Sequence, residues 1–104
     1  MTDNTINLIR LALDASLMRQ TAIATNIANV NTKGYQAIAV DFEKQLTEGT
    51  SDTIQPVYEY SDTPLSIDEQ IASGVQNATQ YRALIKGLNH KLAIMKLAVQ
   101  GNNQ

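Results

Sequence analysis

Few side chains in this chain could do covalent chemistry. It has one histidine, His90, and no cysteine among its 104 residues. A nucleophile–base pair would have to be built around His90, yet no acidic residue lies near it in sequence. No Gly-x-Ser-x-Gly elbow presents a serine to it either. His90 shares a helical row with Ala83 and Leu97, seven residues to either side, which reads as interface or surface. Asp68 and Glu69 are adjacent, but their charge suits the first turn of a helix better than a general acid–base pair. There is no Gly-rich phosphate loop, EF-hand spacing or metal-ligand cluster. The absence of Cys excludes a disulfide framework and thiolate metal sites. The expectation is a non-enzyme with no catalytic residue, no metal and no cofactor.

What the chain does concentrate is hydrogen-bonding amides. Residues 24–35 read Ala-Thr-Asn-Ile-Ala-Asn-Val-Asn-Thr-Lys-Gly-Tyr. Asn and Gly tolerate the left-handed backbone that ends a helix. One such residue suffices for a stop, and this stretch has four: Asn26, Asn29, Asn31 and Gly34. Either the asparagines simply end the helix, or their amides, with Asn31 and Gly34, fix the chain's exit against a neighbouring helix. Tyr35 and Phe42 downstream are candidate anchors for packing the following segment onto the helices.

The elements that must position these residues are legible from periodicity. One domain over residues 1–104 divides into a helix over 4–29, a turn-rich middle over 30–64 and a longer helix over 66–100. The first helix carries two apolar rows: Ile6, Ile9, Leu13, Leu17, Ala24 and Ile27, and Leu8, Leu11, Ala15, Met18 and Ala22. At about 100° per residue the rows lie on opposite faces, and a helix apolar on two sides wants two partners. In the second helix Ile71, Ala78, Ile85, Leu92 and Val99 recur every seven residues. Ile67, Gly74, Tyr81, Leu88 and Met95 fill the complementary positions, apart from the gap at Gly74, which predicts a coiled-coil seam made of both rows. Ser66 is the expected N-cap with Glu69 completing a capping box, and Gly101-Asn102-Asn103 the expected stop. In the middle, Asp41 to Leu46 suits a short helix and Gly49 to Asp52 a flexible loop. The stretch from Thr53 to Tyr60 suits a short extended piece or a hairpin arm, kept at an edge by Pro56. The fold class predicted is all-α: an elongated antiparallel two-helix coiled coil with a short irregular middle.

Asn26-Ile27-Ala28-Asn29-Val30-Asn31-Thr32-Lys33-Gly34-Tyr35 resembles the signature of bacterial flagellar axial proteins, the rod, hook and hook-associated family, whose usual form is Asn-Ile-Ala-Asn-x-x-Thr-Pro-Gly-Tyr. Lys33 replaces the usual proline. Asp41-Phe42-Glu43 and Tyr81-Arg82-Ala83-Leu84 resemble the rod members in particular. Both ends of the chain, roughly two-thirds of it, take part in the likeness. The resemblance implies a structural rod subunit in the periplasmic part of the basal body, exported by the flagellar type III apparatus without a cleaved signal. It also implies partners: copies of itself, other rod proteins, the rod-base adaptor and the membrane ring. The alternatives are another axial subunit, or a soluble helical export chaperone or adaptor that binds client helices.

Length and patterning lead to assembly without that likeness. Helices over 4–29 and 66–100 would be about 39 and 50 Å long at 1.5 Å per residue, a rod rather than a ball. A lone pair buries one seam and leaves Leu8, Leu11, Met18, Ile94 and Leu97 as the expected subunit interface. Each Leu or Ile left wet forgoes about 1.5–3 kcal/mol, so the monomer is expected to gain helix when subunits pack. Net charge is −2, which offers nothing to nucleic acid. The charge is uneven, however. Residues 41–69 hold eight acids against Lys44 alone, while 82–104 hold Arg82, Lys86, Lys91 and Lys96 and no acid. That is either complementation of the helix macrodipole or attraction between the ends of neighbouring subunits. The longest apolar candidate, Ile6 to Leu13, is interrupted by Arg10 and too short to span a membrane. It also lacks the features of a secretory signal peptide.

Overall fold

Helix α1, Thr2–Ala28, and helix α3, Ile67–Asn102, run antiparallel in a computed structural model that describes residues 2–48 and 53–102. Strand β1, Ile38–Asp41, short helix α2, Glu43–Glu48, and strand β2, Val57–Tyr60, lie between them. The register of the long pair follows from its contacts. Asn26 meets Gln70, and Ser16 meets Asn77. The Cβ side of Gly74 faces Ile23. By that register the start of α1 comes opposite the region of Ile94. The last stretch of α3, about two turns, therefore runs on past α1. The molecule measures 65 × 29 × 15 Å with a radius of gyration of 17.4 Å, against about 13 Å for a compact chain of this size. Among the described residues no helix is long and apolar enough to cross a membrane.

The helix boundaries differ from the expected 4–29 and 66–100 by one or two residues. Ser66 caps α3, its Oγ accepting the Glu69 N–H at 3.4 Å and its carbonyl the Gln70 N–H at 3.0 Å. Helix α3 continues through Gly101 to Asn102 instead of stopping at the glycine, and Asn103 lies outside the described residues. The middle is more ordered than an irregular linker. β1 and β2 pair antiparallel, with Ile38 opposite Tyr60 and Asp41 opposite Val57. The Ser61 N–H extends the ladder to the Ala37 carbonyl at 2.8 Å. Pro56 directly precedes β2, where its missing N–H costs no ladder bond. The loop expected over Gly49–Asp52 lies outside the described residues.

The core is small and sits under the hairpin, not along the helix pair. Ala15, Val40 and Phe42 are buried, with Leu11, Ala12, Met18 and Ile54 packed against them. Ala15 and Ala22 let α1 approach the middle segment closely. Arg19 forms an ion pair with Glu43 at the start of α2. The Gln45 amide brackets Gln55: its Nε2 donates to the Gln55 carbonyl at 2.8 Å and its Oε1 accepts the Gln55 N–H at 3.2 Å.

The helix–helix seam is rotated from the predicted one. Gly74, Tyr81, Leu88 and Met95 are half-buried, and the row that alternates with them is Gln70, Asn77, Leu84 and Lys91. The row Ile71, Ala78, Ile85, Leu92 and Val99 turns aside: Ile71, Leu92 and Val99 are 53%, 46% and 60% exposed, and Ala78 and Ile85 are half-buried. The cause is a polar layer. Asn77, 5% exposed, accepts from the Ser16 hydroxyl at 3.1 Å. Its Nδ2 donates to the Ser16 carbonyl at 2.8 Å and to Gln20 Oε1 at 3.0 Å. The two apolar rows lie three residues and so about 60° apart, and the satisfied amide, on the far side of the Gly74 row, draws the seam off the Ile71 row.

Candidate functional site

The signature asparagine, Asn26, is the most buried polar residue among the described residues, only 1% exposed. It lies in the last turns of α1, where the helix must end and the chain must turn to become β1. Its Nδ2 donates to the Ile38 carbonyl at 2.9 Å, and its Oδ1 accepts the Ile38 N–H at 2.9 Å. The side-chain amide thus pairs with the backbone of Ile38 as a neighbouring strand would. The second amide hydrogen goes to Gln70 Oε1 at 3.0 Å, and the second lone pair takes the Tyr35 hydroxyl at 2.6 Å. All four hydrogen-bonding positions of the amide are used. One side chain joins the end of α1, the exit turn, the first strand and the start of α3.

The rest of the signature shapes that turn. Asn29 donates from Nδ2 to the Thr25 carbonyl at 2.9 Å and accepts the Thr32 hydroxyl at 3.1 Å. The Thr32 N–H bonds the Asn29 carbonyl at 3.0 Å, and the Tyr35 N–H bonds the Thr32 carbonyl at 3.1 Å. Gly34 has φ +78° with nothing near its missing Cβ, so backbone conformation alone demands glycine there. Ile27 is half-buried, whereas Ala28, Asn31 and Lys33 are exposed. The usual proline at Lys33 is therefore not needed to bury anything in this chain. Tyr35 is half-buried with its hydroxyl on Asn26, and Phe42 is 3% exposed in the core.

The five residues expected at a subunit interface do not share one fate. Leu8, Ile94 and Leu97 are 46%, 48% and 67% exposed. Leu11 and Met18 instead pack on the Phe42 core, because the middle segment folds back over that face of α1. His90 and Ala83 are exposed, on the same side as Leu97. Sequence reasoning missed Gln70, Asn77, Ser16 and Gln20. Their signal was present: Gln70, Asn77, Leu84 and Lys91 form a heptad row that apolar patterning passes over because three of the four are polar.

The stretch with this geometry is the one that known proteins share. Residues 10–36, from the middle of α1 through the exit turn, match the model of the flagella basal body rod protein family. The chain is thus similar to rod proteins at its most hydrogen-bonded corner. It is also 26% identical, over 121 aligned positions, to the flagellar basal body rod protein FlgB of Bacillus subtilis (strain 168). That likeness covers 93% of this chain and 94% of the relative, so the chain is FlgB-like along nearly its whole length.

Proposed function

We propose that this protein is a structural, non-catalytic subunit of the flagellar basal-body rod, corresponding in place to FlgB. One observation carries the reading: the family match covers the exit turn that Asn26 ties to both long helices. In this role Asn26, Ile27, Ala28, Asn29, Asn31, Thr32, Gly34 and Tyr35 set the angle at which the middle segment leaves the hairpin. The apolar faces left open on α3 then meet neighbouring subunits. The partners are copies of itself, other rod proteins, the rod-base adaptor and membrane ring, and the type III apparatus that exports it without cleavage. Its site of action is the periplasmic part of the basal body. An open, heterologous contact suits such an assembly.

Deleting the gene in its host, then scoring swimming and imaging isolated basal bodies, tests the proposal. Loss of rods and hooks with the membrane ring retained, reversed by complementation, is the expected result. Normal basal bodies overturn it and turn attention to a soluble adaptor.

A further inference from the structure

Helix α3 carries a second apolar stripe that its own chain leaves open, a quarter turn from the seam. At its N-terminal end Ile67, Ile71 and Val75 are 39%, 53% and 66% exposed, and at its C-terminal end Leu92 and Val99 are 46% and 60% exposed. The two ends differ in charge. Asp62 and Asp68 stand at the first, and Lys86 and Lys96 at the second, all four exposed. At about 100° per residue Lys86 lies on the same line of the helix as Asp68, and Lys96 falls within the stripe. The macrodipole acts only within the last turn, so it does not account for Lys86, some four turns from Asn102. The ion pairs among the described residues are Arg10–Asp14 and Arg19–Glu43, and these basic residues enter neither.

We propose that the acid-rimmed start of this stripe receives the base-rimmed end of the stripe on a second copy of the chain. The two α3 helices lie parallel and offset along their axis. The inference rests on the self-assembling rod reading and names the contact. Because the stripe repeats every seven residues, an offset of whole heptads keeps apolar against apolar. An offset of about three heptads sets Ile71 against Leu92 and brings Asp68 within a turn of Lys86. In-register parallel packing would oppose like charges. Each copy keeps one free end of each sign, so the contact propagates.

Charge exchange tests this. Asp62→Lys/Asp68→Lys makes both ends basic, and Lys86→Glu/Lys96→Glu makes both acidic. Sedimentation velocity at low salt should show each variant alone needing roughly tenfold more protein to associate than the unaltered chain. An equimolar mixture should recover association, and so should one chain carrying all four changes. Circular dichroism of the four-change chain confirms that it is folded. The proposal is overturned if the separate variants associate normally, if neither mixture nor four-change chain recovers, or if the unaltered chain stays monomeric. Growth that stops at a dimer overturns it too, since that indicates antiparallel pairing. If these fail while the deletion strain still lacks rods, the rod reading stands and only this contact is lost.

Discussion

A single amide at position 26 does the work usually spread over a short stretch of sheet. Its replacement by leucine keeps the volume but leaves the Ile38 N–H and carbonyl, the Tyr35 hydroxyl and the Gln70 amide without that partner. Unmet buried groups cost about 1–3 kcal/mol each, and water can reach Tyr35 and Gln70. We therefore expect Asn26→Leu to destabilise the protein by about 3 kcal/mol, measured by urea denaturation. A loss under about 1 kcal/mol would mean the hub is not formed in solution. Tyr35→Phe removes one of those bonds and should cost about 1 kcal/mol. At Gly34, φ +78° makes alanine unfavourable by about 1–2 kcal/mol despite the open space around it. An unchanged denaturation midpoint for Gly34→Ala would rule out that backbone conformation.

At the scale of elements, the helix pair is joined by polar residues where leucines are usual. Asn77→Ala should cost about 2 kcal/mol, since it strands the Ser16 hydroxyl and leaves a small void. The pair Ser16→Ala with Asn77→Leu removes the polar groups together and should recover most of that loss. A double-mutant cycle showing simple additivity would refute the layer. Gly74 and Gly87 offer the opposite opportunity. A Cβ at Gly74 would meet Ile23 at 3.6 Å, ordinary contact, and one at Gly87 would meet nothing within 4 Å. Each Gly→Ala change should add about 1 kcal/mol in thermal or urea unfolding. Much of this element layout was legible beforehand. The helices announced themselves through long periodic rows, the cap through Ser66, and β2 through Val57, Tyr58 and Tyr60. Which row of α3 faces α1 was not legible, because two apolar rows compete and a long-range bond between Ser16 and Asn77 decides. The same holds for Leu11 and Met18. Their cover comes from Phe42 and Ile54, brought over by a turn whose direction no local pattern encodes.

As a whole molecule the protein is 15 Å thick in its narrowest dimension, little more than one layer of helices. Its buried core of Ala15, Val40 and Phe42 is slight for 104 residues. We therefore expect the helices of an isolated copy to draw part of their stability from neighbours. Helicity and thermal midpoint should both rise with protein concentration when followed by circular dichroism. A fully helical monomer that melts cooperatively at one temperature, whatever the concentration, would contradict this.

The antiparallel register also determines how the molecule responds to pulling. The start of α1 and the end of α3 lie toward one end of the rod, so tension between them opens the helix pair as a zipper, one layer at a time. The seam of Met95, Leu88 and Tyr81 parts first, then the layer of Ser16, Gln20 and Asn77, then Ile23 on Gly74, and the Asn26 corner last. Zippers yield at far lower force than elements sheared along their length, because the load falls on one rung at once. A chain drawn by an end into a narrow passage would come apart in that order, with the exit turn the last piece of native structure to let go.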